Sequence, residues 1–474
     1  MVEFKKPNKA IGFLAIFLCG IIWLVGVLAV GSENAAFTGW MVILLYITGI
    51  WAAFRCNGGK IYPFVIFLLY CFVSNAGQTV IKLLGITFTE GVNIYAGYSP
   101  ALINRMLILQ GVFVACMLLG YMMLRKMQIV TPEKESLAQQ AEPHGVGASE
   151  LILWALAVYV AVIYIQELSQ RIYMNYGEYY YESRQGVGTV AQYLYHVVLF
   201  AYLFKHTGWK RKMAFGIMLG LAIMAIFIGS RSTTIPVIVG VAFIISVQAK
   251  NKFKLRLRHV LAGLLILFVF SAFAELRKYP ISKLNFTLIA ETVTFSPFKL
   301  LGEILQEMGT SARTTLTTML ALDKGAIDHE GTIFYSLLKG VFPVSFLKIV
   351  GIKAPYMTSL SAWVSDYGSG QYVDGKGWGY SFIGEIIYNY GNWGFIFCFF
   401  FGMLLAWLEN CIEKLLKNKD YLLSAGILYV LGYSVFLARA EMTLVSTRIR
   451  YTVYMAVLII LIRAFMKNRS VKIR

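Results

Sequence analysis

Apolar residues fall along this chain in long uninterrupted blocks, with polar residues gathered into short breaks between them. Each block holds roughly 17–25 residues, the length at which a helix crosses the ~30 Å hydrocarbon core of a bilayer. Such blocks occupy residues 11–31, 39–54, 62–85, 102–124, 150–167, 189–205, 213–229, 233–248, 259–275, 380–408, 421–437 and 447–463. The pattern predicts an all-α polytopic membrane protein with twelve transmembrane helices.

One gap in the pattern is far longer than the rest. Residues 1–275 carry the first nine candidate spans and 380–474 the last three, leaving 276–379 as a large loop between them. Within it, ETVTFSPFKLLGEILQEMG (291–309) has helical periodicity. TIFYSLLKGVFPVSFLKIVG (332–351) reads as an amphipathic or re-entrant segment at the interface. No internal repeat is evident, and the two halves lack the interrupted helices expected of inverted-repeat transporters.

Composition agrees with the pattern: 58% of residues are hydrophobic and 14% charged, and the net charge is +19. With the N-terminus placed in the cytoplasm, the segments on that side hold 25 of the 43 lysines and arginines in 86 residues. The remaining 388 residues hold only 18. The excess charge therefore reads as orientation under the positive-inside rule, with both termini cytoplasmic and the large loop extracytoplasmic, and it implies no nucleic-acid partner. The six cysteines lie in or beside apolar segments without a CxxC pair, which suggests neither a disulfide framework nor a zinc site. The N-terminus (MVEFKKPNK before a long apolar run) lacks a small-residue cleavage site and reads as a retained first helix.

Once orientation is fixed, cations on the outer side run against the bias. Arg231 stands in FIGSRSTTIPVIVG, at the tip of a hairpin with almost no loop, beside Ser230, Ser232, Thr233 and Thr234. Arg277 and Lys278 end the ninth candidate span in AELRKYP, and Arg439, Glu441 and Arg448 lie in LARAEMTLVSTRIR. Arg184 lies in a tyrosine-rich loop whose Tyr173, Tyr176, Tyr179, Tyr180 and Tyr181 read as an aromatic belt or as a sugar-stacking surface. A membrane-edge arginine is costly, and a guanidinium fork suits a phosphate. The plainer alternative for each is snorkelling or pairing with a carboxylate such as Glu275, Glu385 or Glu441. In GKGWGYSFIGEIIYNYGNWG (375–394), Gly375, Gly377 and Gly379 permit tight turns, and Glu385 shares a helix face with Ser381, Asn389 and, more loosely, Tyr388. That face suits sugar hydroxyls or a general base, or a structural ion pair.

The stretches GSRSTTIPVIVG, AELRKYP, FSPFKLLGEILQ, GWGYSFIGEIIYNYGNWG and LARAE…STRIRY, in this order over residues 227–451, resemble the O-antigen and capsule polysaccharide polymerases of the Wzy type. The resemblance implies a fold related to C-type glycosyltransferases and O-antigen ligases, in the bacterial cytoplasmic membrane. It implies polymerisation of undecaprenyl-pyrophosphate-linked repeat units on the outer face, with lipid-linked glycans as donor and acceptor. Membrane lipids, a chain-length regulator and a flippase are the other expected partners. The matching motifs carry pyrophosphate recognition onto Arg231, Arg277, Arg439 and Arg448, with Lys278 beside them. Asn389, Tyr388 and Arg184 are the expected sugar contacts. Glu385, Glu441 and Asp366 remain open as the base, and His329 in DHE (328–330) lacks the context of the ligases' loop histidine. No DxD or convincing His/Asp cluster is apparent, so a metal-independent reaction without a cofactor is expected, with Asp328, His329 and Glu330 left open as cation ligands. Two other activities fit a cationic outer edge: a flippase for the same lipid-linked glycan, and a ligase-type transferase with a different acceptor.

Overall fold

The computed structural model describes residues 20, 34–88, 92–125, 148–174, 187–228, 231–248, 279–283, 287, 297–329, 331–353, 359–369 and 379–472. Every regular element among them is helical. The bundle comprises α1 (Ala35–Cys56), α2 (Pro63–Leu83), α3 (Pro100–Leu124), α4 (Ala148–Tyr173), α5 (Val187–Lys205), α6 (Gly208–Ile228) and α7 (Arg231–Gln248). Between 297 and 369 come α8 (Pro297–Met308), α9 (Ser311–Asp323), α10 (Thr332–Val341) and α11 (Leu360–Ser369). The chain ends with α12 (Phe382–Tyr390), α13 (Gly394–Lys417), α14 (Tyr421–Phe436) and α15 (Met442–Lys472).

Seven stretches among the described residues are long and apolar enough to cross a membrane: α1, α2, α3, residues 150–173 of α4, α6, α12 with α13, and α14 with the turn after it. The expected spans 189–205, 233–248 and 447–463 coincide with α5, α7 and α15. Apart from residue 20, the expected spans 11–31 and 259–275 lie outside the described residues. Large apolar side chains stay exposed along single faces, as at Trp40, Leu44, Ile47 and Trp51 of α1 and Phe400, Leu404 and Trp407 of α13. Steps of three and four residues place each set on one stripe, the surface a lipid chain would cover.

Local chemistry sets the helix starts. Asn34 accepts from the Phe37 amide at 3.1 Å before α1, and Ser99 accepts from the Leu102 amide at 3.3 Å before α3, where Pro100 fills the first turn. Inside α2 the chain widens into one π turn over Phe72–Ala76. The closest crossing joins α3 to α13. A side chain on Gly120 would strike the Phe399 carbonyl and one on Gly402 the Met117 carbonyl, so two small residues let the backbones touch.

At the far end of this pair, Arg125 is 1% exposed and closed in by acceptors. Its guanidinium reaches Glu413 at 2.5 Å, Asn57 at 2.8 Å and Glu409 at 3.6 Å, and lies 4.4 Å from the Tyr62 ring centre. Tyr62 and Tyr121 donate to Glu413 and Glu409, and the Phe64 amide donates to Glu409 at 2.9 Å. The cluster clasps α2, α3 and α13 together. Its signature, two glutamates four apart at the end of an apolar helix, is legible in the sequence but only as a shared face.

The sequence periodicity predicts helices in 291–309 and 332–351, where α8, α10 and a short helix Val344–Ile349 stand. It gives no sign of α9. This helix is threonine-rich and almost wholly buried, against α12, α3 and the π turn of α2. Threonine is a poor helix former, but here its hydroxyls bond back to the helix: Thr314 to the Ser311 carbonyl and Thr318 to that of Thr314, both at 2.8 Å, and Thr317 to that of Arg313 at 2.9 Å.

Candidate active site at the Arg439 turn

The start of α12, the turn between α14 and α15, and the helices α8 to α11 meet at one place. Gly379 makes the approach possible. Its φ is +75°, and a Cβ there would lie 3.2 Å from the Arg439 carbonyl oxygen, to which the Tyr380 amide points at 3.4 Å. The Tyr380 hydroxyl is 2.8 Å from Thr318 of α9. Next, Ser381 caps α12 and donates to Asn75 in the π turn at 2.6 Å. The bulge thus presents a side chain that seats the incoming helix. Gly375 and Gly377 lie outside the described residues.

Three polar residues then do the same job for three helices. Glu385, 1% exposed, accepts from the Met442 amide at 2.7 Å, at the start of α15. One turn on, Asn389 accepts from the Ile333 amide at 3.0 Å and donates to Thr332 at 2.8 Å, closing the start of α10. Glu441 accepts from the Leu360 amide at 2.8 Å and the Ser359 hydroxyl at 3.3 Å, closing the start of α11. Each satisfies amides that have no partner within their own helix, and each carboxylate faces the positive end of a helix dipole. Burial raises the Glu441 carboxyl above its ordinary range, while these amide and hydroxyl donors pull it down. The face on α12 is therefore real, and what lies across it is backbone.

Arg439 is held differently. It is half-buried, and among the described residues its two terminal nitrogens reach the Met308 sulfur at 3.5 Å and the Thr310 hydroxyl at 3.4 Å. No carboxylate among the described residues lies within ion-pair distance of it. Arg448, on α15, donates to the Tyr433 hydroxyl at 3.1 Å and stacks 4.7 Å from the same ring. Its Nε and Nη1 are buried with no acceptor among the described residues. Buried donors left unpaired cost about 1–3 kcal/mol each, so the two of Arg448 are a notable expense. Arg450, by contrast, spends Nε and Nη2 on the Lys339 carbonyl at 3.0 and 2.6 Å, which ties α15 to α10.

The remaining candidates fall in three groups. Asp366 is exposed on α11, whose first residue Glu441 caps. Tyr388 has its ring in a small core with Ala321, Leu360, Val364 and Tyr380, and its carbonyl lies 2.7 Å from His329 Nδ1. Arg231 opens α7, and the same helix brings Pro236 against Gly432, next to Tyr433; the Arg231 side chain is outside the described residues. Arg184, Arg277 and Lys278 are outside them as well, as are Tyr176, Tyr179, Tyr180 and Tyr181, while Tyr173 is 79% exposed. The structure thus gathers Glu385, Tyr388, Asn389, Arg439 and Glu441, and sets Arg448 on the adjoining helix. Sequence reasoning missed Thr310, Thr318 and Tyr380, which carry no signal beyond polarity until α9 is known.

No curated protein and no solved structure matches the chain. A family model does, over residues 11–469, and its description is O-antigen polysaccharide polymerase Wzy. The match spans nearly the whole chain, including every element of the site. With its apolar helices and this match, the chain belongs to the O-antigen polysaccharide polymerase Wzy family, membrane proteins of polysaccharide biosynthesis.

Proposed function

We propose that the chain polymerises undecaprenyl-pyrophosphate-linked repeat units on the outer face of the cytoplasmic membrane, with the Arg439 turn as the donor pyrophosphate site. The observation that carries this reading is the Arg439 guanidinium, at a junction of helices and with two neutral partners among the described residues. Such a fork matches a phosphate's oxygens in geometry and charge. Arg448, with two donors to spare, supplies a second cation. Arg231 opens α7, the helix whose Pro236 meets Gly432 beside Tyr433, and is a third candidate cation.

In the reaction, an acceptor sugar hydroxyl attacks the donor's anomeric carbon. The glycosidic bond forms as the anomeric C–O bond to phosphate breaks, and undecaprenyl pyrophosphate leaves with the electron pair. Fixed guanidinium groups stabilise the charge that grows on the leaving group. The hydroxyl proton goes to a carboxylate. Glu385 and Glu441 hold helix starts, so their part is to position α15 and α11, and through them Arg448 and Asp366. Asp366, exposed and about 9 Å along α11 from Leu360, is the carboxylate open to an acceptor. Asn389 acts likewise by seating α10, and Tyr388 by packing beneath α11.

The reading is tested with purified full-length protein and purified lipid-linked units in excess EDTA. Chains should lengthen, with one undecaprenyl pyrophosphate released for each bond formed. Movement of units across a vesicle without new bonds would favour a flippase, and activity restored only by a divalent ion would overturn the metal-independent step.

A further inference from the structure

α10 and the short helix Val344–Ile349 form a bent strap across the first turns of α15. α10 has ten residues, about 15 Å of helix and half of what a crossing needs. Phe342 is extended before Pro343, which ends α10 and turns the chain into the short helix.

One side of the strap is fixed to the protein. Ile333, Ser336 and Gly340 are buried, three and four residues apart on one face. The Ser336 hydroxyl is 2.9 Å from that of Thr443, and a Cβ on Gly340 would lie 3.1 Å from the Ser446 carbonyl oxygen. These contacts fall just past the turn that ends α14. From there α15 runs back along α14, with Thr452 and Met455 close against Gly426. α14 and its turn, up to Arg439, are apolar enough to cross a membrane, so the strap lies where that stretch meets water.

The other side is apolar and open. Phe334, Val341, Phe342, Phe346, Ile349 and Val350 are between 39% and 82% exposed, and Phe342 stacks on Phe346 with ring centres 5.3 Å apart. Further along α15, Tyr454, Leu458 and Leu461 are exposed as well, at steps of four and three. An apolar edge of this extent, set at the end of a membrane-spanning stretch, suits acyl chains better than water. Charge narrows the choice of lipid. From Gly331 to Ser365 the sequence holds three lysines and no Asp or Glu. Lys339 is half-buried, and its charge helps to pull the Glu441 carboxyl down. Lys348 and Lys353 are exposed on the same segment as the apolar edge, where their stems can lie on acyl chains while the ammonium groups reach phosphates.

We propose that the strap over 332–353 is an interfacial anchor for anionic phospholipid, with its apolar edge among the acyl chains and Lys348 and Lys353 on headgroup phosphates. The anchor goes beyond the polymerase reading and needs no glycan. Its first residue, Thr332, accepts from Asn389 of α12 at 2.8 Å, so one helix ties the bilayer surface to the helix that carries Glu385.

The test places full-length protein in phosphatidylcholine nanodiscs that contain a photoreactive acyl chain on either phosphatidylglycerol or phosphatidylcholine. Labelled peptides are then mapped by mass spectrometry. Both lipids should label 334–350, and phosphatidylglycerol should do so about tenfold more strongly at equal content. That preference should vanish in Lys348→Gln/Lys353→Gln and return in Lys348→Arg/Lys353→Arg. Phe346→Asp/Ile349→Asp should lose the label from the strap, while α1 keeps its own at Leu44 and Ile47 and so reports a folded bundle. An unlabelled wild-type strap beside a labelled α1, or equal labelling by the two lipids, would overturn the inference. So would loss of the label on adding undecaprenyl pyrophosphate, which would make the edge part of the donor site. Polymer formation enters none of these readouts, so failure of the anchor and failure of the polymerase reading are told apart.

Discussion

Arg125 packs on the last turns of α13, whereas Arg439 lies beside Gly379, just before α12. Both are arginines at helix termini in an apolar bundle, yet their surroundings differ in kind. Arg125 is sealed among two glutamates, two asparagines and a tyrosine ring, with nothing left to bind. Arg439 has a thioether and a hydroxyl at long distance, although Glu385 and Glu441 are its neighbours in the fold. Those carboxylates are turned to backbone amides instead. The lesson is that proximity of opposite charges does not make an ion pair. At one place the bundle neutralises its charge internally, and at the other it withholds its carboxylates from a cation.

This contrast breaks in a definite order. The largest effect is expected for Arg439→Ala, which should lower polymer formation by about 10²-fold or more, as removal of a fixed transition-state donor does. Its thermal unfolding should stay close to wild type, read in detergent on the same preparation. Arg125→Ala should do the reverse in cause. It leaves Glu409 and Glu413 buried without their cation and should cost about 3–5 kcal/mol of stability. Replacing both glutamates with glutamine in the same chain should recover most of that loss, measured by the melting temperature. Asn389→Ala removes the cap on α10 and should cost about 1 kcal/mol, with faster amide exchange at Ile333.

Glu441→Gln is the smallest expected change, and its sign follows from titration. The folded Glu441 carboxyl titrates above its ordinary range because of burial, so wild type loses stability as pH rises through that raised value. The glutamine variant keeps an acceptor for Leu360 and removes the titration. Its melting temperature should be flatter with pH over that interval. An unchanged slope would remove Glu441 as the source.

Much of the architecture is written in the apolar blocks, because burial in lipid demands length and little else. α1 to α7 and α14 begin and end within a few residues of the blocks that predict them, whereas the block 380–408 is divided into α12 and α13, which runs on to Lys417, and α15 runs on to Lys472. The polar region is harder to read. α9 hides because its threonines satisfy themselves against their own backbone, so a buried helix looks like a soluble loop. The stripe of Glu385 and Asn389 is legible from their spacing, but spacing does not reveal that helix starts lie across from them. Arg439 and Arg448 stand out in the sequence as charges near the membrane edge. Their lack of carboxylate partners among the described residues is a tertiary property, since it depends on where Glu385 and Glu441 turn.

The central claim is that Arg439 holds a pyrophosphate, and the affinity of purified protein for undecaprenyl pyrophosphate tests it most directly. Wild type should bind the lipid pyrophosphate about tenfold or more tightly than Arg439→Ala does, the worth of a lost charge-assisted contact, while both bind uncharged undecaprenol equally. Equal affinity of the two proteins for the pyrophosphate, or a parallel loss for undecaprenol, would contradict the account.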